Sequence, residues 1–232
     1  MIFQVSTAKK QVLKKLAEQP WTPTDLAKAL DKSRNTVYNH LEALHRQGIL
    51  TKQKVEAKTR PQTEYSIGNG FIRYIAVLPG EYTEKTLKLT PEKQATLRIW
   101  NLPQEDLQPY IEKYWWTIKN SADLDHREDI KAVAVYGSVA RGQADKDSDI
   151  DFLMITKDKR TRESAAEHLG SLRIETPQGS KIGMTEVYSF GEYRNSLAHQ
   201  SDFLRNIQDE LHVIYDPDRI LQTPEKVLEN EY

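Results

Sequence analysis

Cysteine is absent from the chain. That excludes disulfides and any zinc site built on thiolates, and it fits a reducing compartment. No apolar stretch is long enough to span a bilayer. The opening MIFQVSTAKK lacks a long apolar core and a small-residue cleavage site, so a signal peptide is not expected and a cytoplasmic location is. The six histidines (His40, His45, His126, His168, His199 and His212) form no pair at ligand spacing, so no zinc site is expected from them either. Net charge is also nearly absent, at −1, yet this hides an asymmetry. Residues 1–78 carry 13 Lys and Arg against 6 Asp and Glu, whereas the remainder carries 20 against 28. A basic part followed by an acidic one argues for two modules with different partners. The length of 232 residues has room for two compact domains, and 29% charged residues suit a soluble protein.

What is present begins with helical periodicity. Residues 7–19 (TAKKQVLKKLAEQ) put Val12, Leu13 and Leu16 on one face and Lys9, Lys10, Lys14 and Lys15 around the rest. That is an amphipathic helix, stopped by Pro20. Thr22 is a capping residue, and Pro23 suits the first position of a second helix through Leu26, Ala27 and Leu30. Ser33 then caps a third helix, SRNTVYNHLEALHRQ, with Val37, Leu41 and Leu44 inward and Gly48 as its terminator. Two helices so tightly joined read as a helix-turn-helix. The basic alternating segment after Gly48, TKQKVEAKTRPQTEYSI, reads as a hairpin turning near residues 58–62.

Together these features resemble the winged helix-turn-helix family over residues 7–67. The resemblance implies that the third helix enters the major groove and that the hairpin wing touches the backbone or minor groove of double-stranded DNA. Base contacts would come from Arg34, Asn35, Thr36, Tyr38 and Asn39, since Arg and Asn match guanine and adenine edges. Lys52, Lys54, Lys58 and Arg60 would contact phosphates. A winged helix used only for protein contacts, with its wing lysines merely solvated, is the competing reading.

The middle of the chain is less legible. FIRYIAVLPGEYTEKTLKLTP holds two apolar-alternating runs around Pro79-Gly80, a candidate β-hairpin, and Thr90-Pro91-Glu92 starts a helix with Leu97 and Trp100 on its buried side. Leu107, Ile111, Tyr114, Trp115 and Ile118 then recur at helical spacing, with Pro109 early in the helix. The Trp115-Trp116 pair reads as core packing or a dimer contact rather than a stacking platform, because one ring falls on the inward stripe.

The richest stretch is residues 131–156, KAVAVYGSVARGQADKDSDIDFLMIT. Ala132 to Tyr136 and Phe152 to Ile155 are short, apolar and bounded by turn-formers, and so read as buried strands. Side chains two apart on a strand project to one face, so Asp149 and Asp151 point together while Ile150 points inward. Paired carboxylates repel unless a cation sits between them, and such hard oxygen ligands suit Mg²⁺. Gly137-Ser138, at the end of the first strand, allows a close backbone approach to phosphate, and Arg141 adds a forked cation.

The order Gly137-Ser138, Ala140-Arg141-Gly142, Asp149-Ile150-Asp151 resembles the DNA polymerase β-like nucleotidyltransferase superfamily, closest to its minimal branch. The resemblance implies one or two Mg²⁺ ions held by Asp149 and Asp151, with an NTP as substrate or ligand. Gly137, Ser138 and Arg141 would bind the nucleotide. A third catalytic carboxylate on a neighbouring strand is also implied, for which Glu186 is the candidate. Its alternation with Ile182 and Met184 is unusual for a residue facing a polar site. Asp145 and Asp147 read as solvated, as does the run KDKRTR (157–162) before a helix over 163–169. Strands over 172–174 and 182–187, helices over 190–197 and 202–208, and a last strand over 212–215 complete the chain.

The expected fold is therefore α+β. A winged helix-turn-helix domain (1–68) and a structured connector (69–103) precede a mixed-sheet nucleotidyltransferase-like domain with flanking helices (104–232). The expected function is Mg²⁺-dependent transfer of NMP from an NTP to an unidentified acceptor by a DNA-binding protein. The alternative is a transcription regulator whose transferase-like domain only senses a nucleotide. A homodimer is expected by analogy with winged-helix proteins.

Overall fold

The computed structural model describes residues 6–56, 60–68, 70–120 and 127–221. Internal contacts divide the chain into two units, Met1–Thr90 and Pro91–Tyr232.

The first unit opens with three helices, α1 (Thr7–Glu18), α2 (Pro23–Ala29) and α3 (Arg34–Arg46). Each start is fixed by a side-chain cap: Ser6, Thr22 and Ser33 accept from the backbone N–H groups of Lys9, Asp25 and Thr36. Pro23 occupies the first turn of α2, where its missing N–H is harmless. At the end of α3, Gly48 takes a left-handed φ of +72°. The Gly48 N–H then donates to His45 O at 2.8 Å and the Ile49 N–H to Leu44 O at 3.1 Å, closing the helix with a Schellman turn. Strands β1 (Thr51–Val55) and β2 (Gln62–Ser66) pair antiparallel as the expected wing. Trp21 joins them through paired backbone bonds with Tyr65, of 3.0 and 2.9 Å. Val12, Leu16, Leu26, Val37, Leu41, Leu44, Leu50 and Tyr65 are the core of this unit.

Strands β3 (Phe71–Leu78) and β4 (Glu81–Lys88) form a hairpin across Pro79-Gly80. The segment 69–103, expected as one connector, therefore divides. Its hairpin belongs to the first unit, and helix α4 (Pro91–Trp100) belongs to the second. The reason is burial: Ala95 and Ile99 of α4 are fully buried in the second unit's core. Arg98 Nη1 donates to Ile214 O at 3.2 Å, and His212 Nε2 donates to Arg98 O at 2.7 Å. Leu97 and Trp100 were expected on the buried side of that helix, but Trp100 is exposed.

After α4 come α5 (Gln108–Asn120), β5 (Ile130–Tyr136), the single turn α6 (Gly137–Ala140), β6 (Ile150–Thr156) and α7 (Lys159–Leu169). Then follow β7 (Ser171–Thr176), β8 (Gly179–Ser189), α8 (Phe190–Ala198), α9 (Asp202–Ile207) and β9 (His212–Tyr215). The five strands form one sheet in the order β7-β8-β6-β5-β9, with β6 and β8 parallel and every other pair antiparallel. Helix α7 starts earlier than expected, because Asp158 caps it by accepting from the Thr161 N–H at 2.9 Å. Lys159 to Arg162 are thus its first turn and not a loop.

Strand alternation sorts the sheet into two faces. Val133, Val135, Ile150, Phe152, Met154 and Val187 form one core with residues of α4, α5 and α7. Ala132, Ala134, Leu153 and Ile155 form another with Tyr193 of α8 and Leu204 and Ile207 of α9. In the first core the Phe152 and Tyr114 rings stack at 3.7 Å, and the Tyr114 hydroxyl lies 2.7 Å from the Thr185 hydroxyl. Trp115 is buried there and Trp116 is exposed, in keeping with the inward-stripe reading. Phe152→Ala is expected to destabilise the second unit by about 3–5 kcal/mol. Urea denaturation of the full chain measures it.

Candidate active site and nucleic-acid interface

Ile150 is fully buried, so strand alternation commits Asp151, the next residue of β6, to the opposite face. Asp151 lies in β6, opposite Tyr136 of β5 and Met184 of β8. Asp149 precedes the first ladder residue and is exposed. Glu186 is opposite Leu153, one pleat beyond Met184 on the same face as Asp151. The apolar pattern that made Glu186 look misplaced is resolved by exposure. Ile182 and Met184 are 36% and 41% exposed, while Gly183, Thr185 and Val187 are buried behind them. Helices α8 and α9 cover the Leu153–Ile155 end of this face, Asp149 and Asp151 lie toward its other end, and Glu186 is exposed on the neighbouring strand at the level of Leu153.

Gly137 turns the chain at the tip of β5 with a φ of +71°. A Cβ on it would stand 2.7 Å from Asp151 Oδ2, so the missing side chain is what admits the carboxylate to the bend. Burial and the Asp149 carboxylate raise the Asp151 pKa above the ordinary aspartate range. Arg141 opposes the shift and Glu210 adds to it. Tyr136 is pushed up to about 12, first by burial and then by Asp151, Glu186, Tyr188 and Glu210. Tyr136 and Glu210 thus belong to the site, although the sequence reading did not include them. A half-buried tyrosine flanking the Gly-Ser bend was visible as a signal; a glutamate 69 residues beyond Arg141 carried none.

Arg141 does not stand open as expected. One guanidinium nitrogen pairs with Glu210, and Nε donates to Gln143 Oε1 at 3.4 Å. Ser138 is half-buried in α6, and its carbonyl accepts from the Gln143 N–H at 2.8 Å. Among the described residues no three acidic or histidine side chains converge as a metal cage. The carboxylate pair suits Mg²⁺ nonetheless, since that ion is typically held by one or two carboxylates with water and substrate phosphates completing its shell.

Residues 118–220 match the family model of polymerase β nucleotidyltransferases. Residues 6–52 match that of bacterial regulatory proteins of the arsR family. The chain joins an ArsR-type helix-turn-helix to a polymerase β-type nucleotidyltransferase domain. No curated protein is matched. The nucleotidyltransferase match takes in α6, β6 and β8, and so every acid named above; the helix-turn-helix match ends in β1, before the rest of the wing.

In the helix-turn-helix unit Arg34, Asn35, Thr36, Tyr38 and Asn39 are all exposed on α3, around the buried Val37. The Thr36 hydroxyl lies 2.8 Å from the Ser33 hydroxyl, at the cap. Lys54 and Arg60 are exposed on the wing, and Lys58 lies outside the described residues. Lys52 differs from expectation: its ammonium pairs with Glu42 of α3 at 3.1 Å. The Tyr65 hydroxyl donates to the same carboxylate. The tyrosine first, and then the lysine, hold Glu42 below the ordinary glutamate range. No helix among the described residues is long and apolar enough to cross a membrane.

The raised Asp151 pKa has a definite sign in stability. The folded state binds that proton more tightly than the unfolded chain, so stability falls as pH rises from the ordinary aspartate range through the raised value. Asp151→Asn is expected to remove that fall and to stabilise the metal-free protein at neutral pH. Urea denaturation as a function of pH checks both.

Proposed function

We propose that the protein binds double-stranded DNA through α3 and its wing and transfers NMP from an NTP to an acceptor through the nucleotidyltransferase domain. The observation that carries this reading is the fit of the Asp151 carboxylate against the side-chain-free bend at Gly137, beside Asp149. Asp149 and Asp151 would hold Mg²⁺, which when bound neutralises triphosphate charge and aligns the α-phosphate. The bend at Gly137-Ser138 lets backbone approach the β- and γ-phosphates. Arg141, released from Glu210, offers them its fork. Glu186 is on the right face to take the proton of the attacking hydroxyl. The bond from the acceptor oxygen to the α-phosphorus forms as the bond to the bridging oxygen breaks, and pyrophosphate leaves.

A second reading is favoured by one observation, the engagement of Arg141 by Glu210. In it the domain binds nucleotide without transfer and adjusts DNA affinity. Either way the reading includes a homodimer in the cytoplasm, since paired helix-turn-helix units span two half-sites one helical turn apart.

Incubation with each α-labelled NTP and Mg²⁺, with the chain, RNA and cell extract as acceptors, tests transfer. Label is expected on one acceptor with the wild type and on none with Asp149→Asn or Asp151→Asn. Label retained by both variants would remove the carboxylates from the chemistry. DNA affinity that changes with nucleotide, with no label anywhere, would favour the sensor.

Arg34→Ala is expected to weaken binding to duplexes selected from a random pool by about 1–3 kcal/mol. Lys54→Ala should lower affinity evenly across sequences and reduce its dependence on salt. Gel-shift titrations at several salt concentrations distinguish the two.

A further inference from the structure

The loop between α6 and β6 delivers Asp149, and Asp149 lies outside the β6 ladder. Something other than strand pairing must therefore fix it. Lys181 of β8 reaches this loop and donates its ammonium to three backbone carbonyls: Asp145 O at 3.0 Å, Lys146 O at 2.7 Å and Ser148 O at 3.0 Å. Three carbonyls converging on one charge form a cage that a monovalent cation would also satisfy. Here the cation is tethered by its own side chain.

The turn so gripped is built from within. The Asp145 N–H donates to Ser148 Oγ, Ser148 Oγ donates to Asp145 Oδ1, and the Asp147 N–H donates to the same oxygen, each at 2.9 Å. These bonds, with the Lys181 charge as a lesser contribution, hold Asp145 below the ordinary aspartate range. At the other end of the loop, the Gln104 amide donates to Ala144 O and accepts from the Ala144 N–H, each at 2.9 Å. An otherwise exposed polar loop is thus clamped at both ends. The lysine takes hold of the carbonyl of Ser148, the residue directly before Asp149.

We propose that Lys181 is a positioning residue that holds Asp149 beside Asp151 by caging the carbonyls of the Asp145–Ser148 turn. It acts through Asp149 and need not touch nucleotide. The proposal rests on the metal-binding reading of the acid pair for its consequence, but not for its geometry. Without the cage, Asp149 is free to swing from Asp151, because the two carboxylates repel. A guanidinium is too broad and planar to put one charge at the focus of three carbonyls, so arginine should substitute poorly.

The test uses the full chain. In the metal-free protein, Asp149→Asn is expected to raise the melting temperature by relieving the repulsion of Asp151. That rise should vanish when Lys181→Ala is already present. Additive effects in this double-mutant cycle would overturn the proposal whether or not the protein binds metal. With Mn²⁺ as probe, Lys181→Ala should weaken binding by about 10- to 100-fold, the range typical when a residue supporting a ligand is removed. Lys181→Arg should fail to restore it, and added ethylammonium should restore it to Lys181→Ala by refilling the cage. Unchanged Mn²⁺ affinity in Lys181→Ala would overturn the proposal and leave the reading of the acids intact. A coupled cycle in a wild type that binds no Mn²⁺ would do the reverse.

Discussion

Two carboxylates held side by side, one of them pressed against a bend with no side chain, are the constraint to which the second unit answers. Asp149 and Asp151 repel, and Asp151 is partly withdrawn from water, so the arrangement opposes folding unless other contacts enforce it. Burial of Ile150 and the ladder partners Tyr136 and Met184 fix Asp151, and the turn gripped by Lys181 leads into Asp149. The same pattern of burial that makes β6 a central strand therefore creates an unfavourable charge pair at its open end. A group that costs stability where it stands, and is kept there by the surrounding core, is a signature of function more than of architecture.

The compensation lies on the other side of the sheet. Phe152 and Met154 pack into the larger core, where Phe152 stacks on Tyr114, and the buried Tyr114 hydroxyl is matched by Thr185. No buried side-chain polar atom among the described residues lacks a partner. Even the buried Asp216 accepts the backbone N–H groups of Ile220 and Leu221, at 2.7 and 2.9 Å. Polar satisfaction is thus close to complete away from the acid pair. At the acid pair, by contrast, burial and the neighbouring carboxylate both disfavour the charged form of Asp151.

Much of this was legible in the residues. Caps at Ser33 and Thr22, the stop at Gly48 and the short apolar runs over 132–136 and 152–155 are local signals, and local signals survive into the structure. Gly137 and the Asp-x-Asp pair were legible for the same reason, since a bend and a strand end need only a few neighbouring residues. What sequence could not supply was partnership across distance. The Arg141–Glu210 pair joins residues 69 apart and the Lys52–Glu42 pair joins a strand to a helix, and each occupies a cation that alone looked ready for phosphate. Asp145 looked solvated because its exposure was predictable while its role inside the turn was not. The division of residues 69–103 was hidden likewise: Ala95 and Ile99 are unremarkable apolar residues until β9 lies beneath them.

Glu42 lies at a junction within the helix-turn-helix unit. It projects from α3 and receives the Tyr65 hydroxyl from β2 and the Lys52 ammonium from β1, while Trp21 ties Tyr65 back toward the start of α2. Helix and hairpin are therefore welded at one carboxylate and not merely adjacent. Load placed on the hairpin is thus carried into the helix beside it, so the two respond as one piece.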